Sequence, residues 1–388
     1  MKKMKLPGAI LLVWASRPWP RVMSLRAKSL AAGLGLLAGG CAHLKSLPPG
    51  EALTIQERKD AIRRASVWSP TNIPAVNFRE GPKGEGSFAR HQWVTCEYKE
   101  KKMEGASPKF TCETSDGDNI KVKYGPRNAE VFGEVLSTRL FWALGFGADR
   151  VYPVRVRCTG CPKDPHKNPK AVKGVQEFDP AAVERKLPGR AMETAEGSGW
   201  KWSALNDIGP DAPKDAAVHR DALKLLSAFV QHSDSKSANQ RLLCPAGQET
   251  GKTGCAAPIL MVQDLGLTFG EGFFVSRNKN SVSFAGWSEV PVWKDGEKCV
   301  AHLTGSFSLT GRLDNPTISE AGRAFLAGLL VQLTDAHLRD LFVTARVDRR
   351  SADPGGDPEN DAPAGTVSEW VKAFKLKRAQ IVDRRCPA

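Results

Sequence analysis

The stretch His232-Ser233-Asp234-Ser235-Lys236-Ser237-Ala238-Asn239, together with Asp264-Leu265-Gly266 further along, decides how the rest of this chain is interpreted. Apolar residues with helical spacing over 218–230 predict a helix that leads directly into the first stretch. Two carboxylates and an amide supply the oxygen ligands that Mg²⁺ prefers, and a carboxylate can also orient a hydroxyl group. The alternative is a polar turn after a helix, with Asp264 as an ordinary turn residue.

The composition is typical of a globular protein of 388 residues, long enough for one two-lobed domain or two ordinary domains. Of the net charge of +14, residues 1–40 contribute seven basic residues and no acid, which leaves +7 for the remainder. That remainder indicates a solvated basic surface, or attraction to anionic lipid or phosphate-bearing substrates. We expect no nucleic-acid partner, because the sequence contains no helix-turn-helix, zinc finger or aromatic RNA-binding strand.

Residues 1–40 predict an export signal. A basic segment at 23–28 precedes a short apolar run at 30–37, and small residues then lead to Cys41. This pattern resembles a bacterial lipoprotein signal, which implies lipidation of Cys41 and a lipid-anchored location in the cell envelope, facing the periplasm or the surface. Residues 1–22 fit a signal poorly, so translation could begin at Met23. An uncleaved anchor is the alternative, but the apolar run is too short to span a bilayer.

The other cysteines are even in number, which in an exported chain predicts disulfides. Cys96 with Cys112, and Cys244 with Cys255, each flank a hairpin-like segment, and we expect these two pairs. The remaining four are Cys158, Cys161, Cys299 and Cys386.

Cys158-Thr159-Gly160-Cys161 leaves three interpretations open. The two cysteines could form a tight disulfide, provide half of a zinc site, or pair separately with Cys299 and Cys386. Zinc needs two more ligands at suitable spacing, and only His166 lies nearby. Thiol redox chemistry is less favoured, because this Cys-x-x-Cys follows a strand instead of opening a helix.

The chain after the signal divides into three parts. Residues 41–90 predict a tether and an irregular lead-in, 91–180 a small strand-rich part, and 181–388 a mainly helical part with a basic C-terminal helix. The predicted strands are 91–98, 109–114, 119–124, 151–157, 174–178, 239–243 and 259–263. The predicted helices are 54–65, 129–145, 218–230, 319–333, 335–344 and 367–382. A polar linker is expected over 348–363.

Upstream of residues 232–239, Lys123 ends the third predicted strand. The next predicted helix carries two acids one turn apart, Glu130 and Glu134. Lys121 shares the strand face of Lys123, so periodicity alone does not choose between the two lysines. Position at the end of the strand favours Lys123, and position deeper in the helix favours Glu134. The alternatives are a solvent-exposed lysine and an ordinary solvated helix acid.

The order Lys123, Glu134, Asp234, Asn239 and Asp264 resembles that of the protein-kinase-like superfamily. The resemblance covers residues 91–345. The segments 264–270 (Asp-Leu-Gly-Leu-Thr-Phe-Gly) and 142–146 (Trp-Ala-Leu-Gly-Phe) are more similar to poorly characterised, atypical bacterial kinase-like proteins than to eukaryotic signalling kinases. The resemblance implies an α+β, two-lobed fold with a small β-rich N-lobe containing one helix and a mainly helical C-lobe. No Ala-Pro-Glu follows the Asp-Leu-Gly, so a peptide-docking segment is not expected.

The resemblance also implies roles for the core residues. Lys123, paired with Glu134, would contact the α- and β-phosphates of ATP. Asp234 would accept the proton of the acceptor hydroxyl, and Lys236 would stabilise the moving phosphoryl group. The residues expected to hold Mg²⁺ are Asn239 and Asp264.

A loop that covers the phosphates should lie between the first two strands of the small part. Gly105, Ser107 and Lys109 occupy that place, and their backbone amides and the lysine could approach a phosphate. The segment 84–88 looks more like a glycine-rich signature, but too many elements separate it from Lys123, and we interpret it as a loop. His232 is expected to brace the catalytic loop.

These observations favour an exported, lipid-anchored phosphotransferase that uses ATP and Mg²⁺ on an unknown hydroxyl acceptor, a protein or a small molecule. The alternative is a catalytically silent, kinase-shaped envelope lipoprotein that acts as a scaffold or binding module, because ATP is expected to be scarce outside the inner membrane. Transfer of a nucleotidyl group from the same site is a third possibility. A serine hydrolase or metalloprotease is disfavoured, because the sequence has neither a Gly-x-Ser-x-Gly elbow nor a suitable histidine pair.

Overall fold

The computed structural model describes residues 52–103, 105–197, 199–271, 281–305, 311–350 and 364–387. All of them belong to one compact unit, His43–Ala388. The expected signal, the expected lipidation site Cys41 and most of the predicted polar linker lie outside the described residues.

The fold is mixed, and its strand-rich part is a closed five-stranded sheet in the order β1-β2-β3-β5-β4. Antiparallel pairing joins the neighbours, except that β1 and β4 close the barrel by running parallel. The strands are β1 (Trp93–Lys99), β2 (Lys109–Thr114), β3 (Asn119–Tyr124), β4 (Arg150–Pro162) and β5 (Lys173–Arg185). The alternating burial of β1 reflects one face toward the barrel interior and one toward solvent.

Strands β4 and β5 are much longer than the segments 151–157 and 174–178 predicted from the sequence. The extra length arises because the two strands pair along most of their length, from Arg150 with Arg185 to Pro162 with Lys173. Cys158 and Cys161 form a disulfide within β4, and Cys96–Cys112 bridges β1 to β2. The half-zinc-site interpretation of the Cys-x-x-Cys is therefore wrong.

Helix α2 (Ala129–Ala143) lies between the barrel and the rest of the molecule, and nearly all of its side chains are buried. Asn128 caps its N-terminus by accepting the Glu130 amide at 3.2 Å. The helix ends before Gly145, whose positive φ of 87° and close approach to the Ser69 carbonyl leave no room for a side chain. The predicted helix over 129–145 is thus confirmed, with its C-terminus two residues earlier.

The second part of the chain is mainly helical around an aromatic core. Phe229, Trp287, Trp370 and Phe374 pack together there, with the two indole rings stacked 5.5 Å apart. Besides α2, the helices of the described residues are α1 (Ile55–Arg64), which precedes the barrel in the chain, and α3 (Ala216–Phe229), α4 (Phe284–Ser288), α5 (Glu320–Leu330), α6 (Asp335–Ala345) and α7 (Val367–Val382), which follow it. Short 3₁₀ turns occur at Ile73–Ala75, Trp202–Asn206, Ser237–Asn239 and Val347–Arg349.

A small sheet in the order β10-β7-β6 positions the segment 232–239, which contains Asp234 and Asn239. β7 follows Asn239 directly and pairs antiparallel with β10, which ends two residues before Asp264. The small strands are β6 (Gly189–Ala191), β7 (Gln240–Pro245), β8 (Glu249–Thr250), β9 (Gly254–Cys255), β10 (Ile259–Val262), β11 (Trp293–Asp295) and β12 (Val300–Ala301). The Cys244–Cys255 disulfide closes the segment that connects β7 to β10, as the sequence predicts. A fourth disulfide joins Cys299 to Cys386.

Candidate functional site

The ammonium group of Lys123 lies at the centre of a buried charge cluster. Lys123 is only 2% exposed on β3, and its Nζ contacts the Glu134 carboxylate and, at 2.5 Å, Oε2 of Glu130. The structure thus brings both candidate acids of α2 to this lysine. Lys121 instead pairs with Glu184 of β5.

Neighbouring charges perturb the ionisation of this cluster. Burial lowers the pKa of Lys123, but Glu130, Glu134 and the other nearby acids outweigh it and hold the pKa well above the usual range. Burial raises the pKa of Glu134 to about 8, against the opposing effect of Lys123 and with support from Asp264. Lys123 is therefore firmly protonated, while the acids around it compete for one cation.

The loop before β2 folds down onto this cluster. The Ser107 hydroxyl donates to Oε1 of Glu130, and Lys109 lies opposite Lys123 in the β2–β3 register. Gly105 has a φ of 85°, and a β-carbon there would be 3.1 Å from the Lys109 ammonium. Burial lowers the pKa of Lys109, an effect that Glu130 partly offsets. All three loop residues predicted from the sequence therefore lie together at the edge of the cluster.

Asp264 lies near the Lys123 charge cluster because α2 packs directly on the backbone of Gly266, two residues after Asp264. A β-carbon on Gly133 would lie 2.3 Å from the Gly266 carbonyl oxygen, and one on Gly266 would lie 2.6 Å from Cγ of Glu130. One turn later, the hydroxyls of Ser137 and Thr268 are 2.6 Å apart. Sequence reasoning missed Gly133, although a glycine in the middle of a helix signals a close approach of this kind.

Asn239 joins the two halves of the opening motif. Its Nδ2 donates to the Asp234 carbonyl at 2.6 Å, and its own carbonyl accepts the amides of Gln263 at 2.8 Å and Asp264 at 3.1 Å. The three residues predicted to act together are therefore held by direct hydrogen bonds, although Asp234 and Asp264 are far apart in sequence.

The Asp264 carboxylate remains ionised although it is partly buried. Burial raises its pKa, but Lys123 and the Gly266 amide, which donates to Oδ1 at 3.1 Å, outweigh it, so the pKa is lowered. Within the part of the chain that the structure describes, no side chain or amide donates to Oδ2 of Asp264 or Oδ1 of Asn239. Two oxygens of the type that Mg²⁺ prefers thus receive no hydrogen bond from the described residues.

No group of three or more His, Cys, Asp or Glu side chains in the described ranges could hold a metal ion by itself. A Mg²⁺ ion at Asn239 and Asp264 would need further oxygens from a second molecule. This is the usual situation for Mg²⁺, which one or two protein ligands hold together with substrate phosphates and water.

Both oxygens of the Asp234 carboxylate face cations. Lys236, which is half exposed, lies 3.1 Å from Oδ2, and Nη1 of Arg312 lies 3.6 Å from Oδ1. Sequence reasoning missed Arg312, because it follows no motif and reaches the loop only through the tertiary fold. Asp234 is thus held between the half-exposed ammonium group of Lys236 and the largely buried guanidinium group of Arg312.

His232 is buried and packs against Trp202, with ring centroids 6.1 Å apart. Neither ring nitrogen has a hydrogen-bond partner among the described residues. Burial lowers the pKa of His232 to about 4, against the opposing effect of Asp234. The ring is therefore neutral at pH 7 and contributes packing beneath the loop.

The sequence matches no family model, and no curated protein matches it. The structure is similar to that of the Helicobacter pylori proinflammatory kinase CtkA, with a TM-score of 0.38 and 11% identity, covering 74% of this chain and 94% of that chain. It is also similar to one chain in the structure of the Shewanella oneidensis MR-1 toxin–antitoxin system HipA, HipB and its operator DNA complex, with a TM-score of 0.31 and 14% identity, covering 87% of this chain and 73% of that chain.

Proposed function

We propose that this chain has a two-lobed protein-kinase-like fold, with 91–180 as N-lobe and 181–388 as C-lobe, and transfers a phosphoryl group from ATP to a hydroxyl acceptor. The observation that carries the proposal is the contact between two groups of residues from distant parts of the chain. Glu130, which pairs with Lys123, packs on Gly266 just after Asp264, and Asn239 links Asp264 to Asp234 by hydrogen bonds.

Each residue has a distinct task in this proposal. Lys123, fixed by Glu134, binds phosphate oxygens of the nucleotide. Lys109, from the loop before β2, approaches the same phosphates. Asp234 accepts the proton of the acceptor hydroxyl, and Lys236 stabilises the transferring group. Asn239 and Asp264 hold Mg²⁺, which when bound neutralises the charge on the phosphates.

We further propose that the protein is exported and lipid-anchored at Cys41 in the bacterial cell envelope. The four disulfides support an oxidising compartment, since such bonds persist there and are rare in the cytosol. In the ranges that the structure describes, no helix has the length and apolar character needed to cross a membrane.

A silent, kinase-shaped scaffold is the second candidate, and one observation favours it. Lys123 is shared by two carboxylates, and both oxygens of Asp234 already face cations, so the groups that would perform catalysis are paired with each other. A scaffold needs no nucleotide turnover and tolerates such pairing.

The test is Mg²⁺-dependent nucleotide binding by the purified full chain, with Asp264→Asn as the diagnostic variant and Asp116→Asn, an exposed turn residue of the β2–β3 hairpin, as the matched control. We expect the wild type and Asp116→Asn to bind ATP with Mg²⁺ and Asp264→Asn to lose that dependence. Absence of binding at millimolar ATP, or equal binding by Asp264→Asn, would refute the phosphotransferase. Binding without ADP formation over a broad acceptor panel would favour the scaffold.

A further inference from the structure

The connection between β4 and β5 presents a cluster of lysines to solvent. The exposed lysines are Lys163, Lys167 and Lys170 in the connecting segment and Lys173 at the start of β5. Within the described part of the chain, no carboxylate lies within ion-pair distance of the first three, whereas Lys173 is 3.6 Å from Glu100. We call residues 163–175 the lysine tip.

The lysine tip is a defined structure, because its single carboxylate holds the segment together. Oδ1 of Asp164 accepts the Tyr124 hydroxyl at 2.9 Å and the Lys167 amide at 3.0 Å. Pro165 is buried, and the Cys158–Cys161 disulfide lies just before the tip. The acid of the tip is therefore engaged with β3 and with the backbone of the tip itself, and the lysines remain exposed.

Two valines lie beside these lysines on the outside of the molecule. Val172 is 93% exposed and Val175 is 62% exposed, and Val172 is the most exposed large apolar side chain among the described residues. Burial of such side chains in an apolar phase is favourable. Lysines alone make a surface soluble, so exposed valines among them indicate a partner that is both anionic and apolar.

We propose that the lysine tip binds a bilayer containing anionic phospholipid, with its lysines at the lipid phosphates and Val172 and Val175 inserted at the boundary with the acyl chains. The inference rests on the proposed lipid anchoring. The segment from Cys41 to Ala52, where the described residues begin, spans at most about 40 Å when fully extended. An acyl chain on Cys41 would therefore keep the folded unit close to a bilayer.

A soluble polyanion is the rival partner for the lysine tip. Nucleic acid is disfavoured, because residues 163–175 contain no Phe, Tyr or Trp on which a base could stack. A partner that recognises charge alone would leave both valines in water. Variants that remove the lysines and variants that remove the valines therefore distinguish a bilayer from a soluble polyanion.

The experiment measures co-sedimentation of the compact unit His43–Ala388 with lipid vesicles. This unit is used because residues 1–40 carry a basic segment and an apolar run of their own. One set of vesicles is phosphatidylcholine alone, and the other contains phosphatidylcholine and phosphatidylglycerol in equal amounts. Binding to heparin, a soluble polyanion, is measured in parallel, and thermal unfolding shows that each protein is folded.

Three multiple variants are compared with the wild type. One removes the unpaired lysines (Lys163→Gln/Lys167→Gln/Lys170→Gln), and one removes the valines (Val172→Ser/Val175→Ser). The matched control removes three exposed lysines from outside the barrel (Lys214→Gln/Lys252→Gln/Lys372→Gln).

We expect the wild type and the control to bind the anionic vesicles and not the neutral ones. The lysine variant should bind the anionic vesicles roughly 100-fold more weakly, at about fivefold for each lysine near an anionic surface. The valine variant should bind these vesicles roughly tenfold more weakly and bind heparin as the wild type does.

Several results would overturn the inference. They are wild-type binding to heparin but not to anionic vesicles, equal binding to neutral and anionic vesicles, and unchanged vesicle binding in the lysine variant. Unchanged vesicle binding in the valine variant would show recognition of charge alone, which also overturns it.

Failure of this inference and failure of the proposed anchoring give different results. The unit His43–Ala388 lacks Cys41, so its binding to vesicles does not depend on lipidation. Mass spectrometry of the full chain after expression in bacteria tests whether Cys41 is acylated. An acylated chain whose folded unit ignores anionic vesicles loses only this inference, whereas vesicle binding without acylation loses only the anchor.

Discussion

Gly133 in α2 lies directly against the carbonyl oxygen of Gly266, so closely that a β-carbon at position 133 would be 2.3 Å from that oxygen. This contact holds the backbone after Asp264 against the helix that carries Glu130 and Glu134. The proposed metal ligand and the proposed lysine–acid pair therefore depend on one glycine in the middle of a helix.

Substitution of Gly133 by Ala should damage the site through this contact. Backbone atoms cannot move aside as a flexible side chain can, so we expect a loss of about 1–3 kcal/mol in the free energy of unfolding and weaker nucleotide binding. Gly328→Ala in α5 is the matched control, since a β-carbon there meets nothing within 4 Å. That control should be neutral or up to about 1 kcal/mol more stable, because alanine has the higher helix propensity. Chemical denaturation of both variants measures the difference, and equal stabilities would contradict the prediction.

Removal of the Lys123 charge should be far more costly than removal of the Lys121 charge. Lys123→Met leaves two buried carboxylates without their cation, and breaking a buried pair in this way costs about 3–5 kcal/mol. Lys121→Met is milder, because Glu184 keeps its second partner, Lys186. Urea unfolding tests the difference, and the double variant Lys123→Met/Glu134→Gln should recover part of the loss. Similar losses for the two lysines would show that the cluster does not depend on Lys123.

His232 should contribute a loss of stability as the pH falls from about 6.5 toward 4, whereas Glu134, whose pKa burial raises to about 8, contributes the opposite slope in this window. The pKa of His232 is lowered in the folded state to about 4, so in this window the unfolded chain takes up a proton that the folded chain does not. A shift of this size corresponds to about 3 kcal/mol in total. Carboxyl groups with lowered pKa, such as Asp264, add their own losses only at the acid end of the window.

His232→Phe keeps an aromatic ring beside Trp202 and removes the titrating group, so between pH 6.5 and 5 the variant should lose less stability than the wild type as the pH falls. The free energy of unfolding at a series of pH values provides the measurement. Some slope should remain from His91, whose pKa burial also lowers to about 4. An unchanged slope in the variant would mean that His232 is not the responsible group.

The disulfides should differ in their contribution to stability according to the loop that each one closes. Cys299–Cys386 has a sequence separation of 87, whereas Cys158–Cys161 has a separation of 3. Chain entropy predicts a loss of roughly 4–5 kcal/mol for Cys299→Ser/Cys386→Ser and about 2 kcal/mol for Cys158→Ser/Cys161→Ser. Thermal unfolding of the two double variants tests this ranking, and a reversed order would point to enthalpic effects within β4.

Much of the local structure follows from the sequence alone. The predicted bounds of β2, β3 and α7 agree with the structure, because alternation, a turn at 115–118 and a capping box at Thr366 and Glu369 are signals within a few residues of each other. The lengths of β4 and β5 were predicted poorly, because their outer halves depend on pairing with each other and carry many polar residues on the solvent face.

The parallel closure of the barrel by β1 and β4 has no local sequence signal either, because it joins strands separated by a hairpin and a helix. The same reason applies to Arg312. Its pairing with Asp234 depends on how a distant segment crosses the loop, and no spacing between the two residues encodes that path.

By itself, the sequence determined the order of the longer elements, two disulfide pairs and the residue types of the candidate site, since each of these depends on neighbouring residues or on chemistry. Only the tertiary structure decided that Glu130 shares Lys123 with Glu134, that Gly133 holds the Asp264 segment, and that Arg312 faces Asp234. These relationships are contacts between distant segments, and their geometry is set by packing of the whole fold.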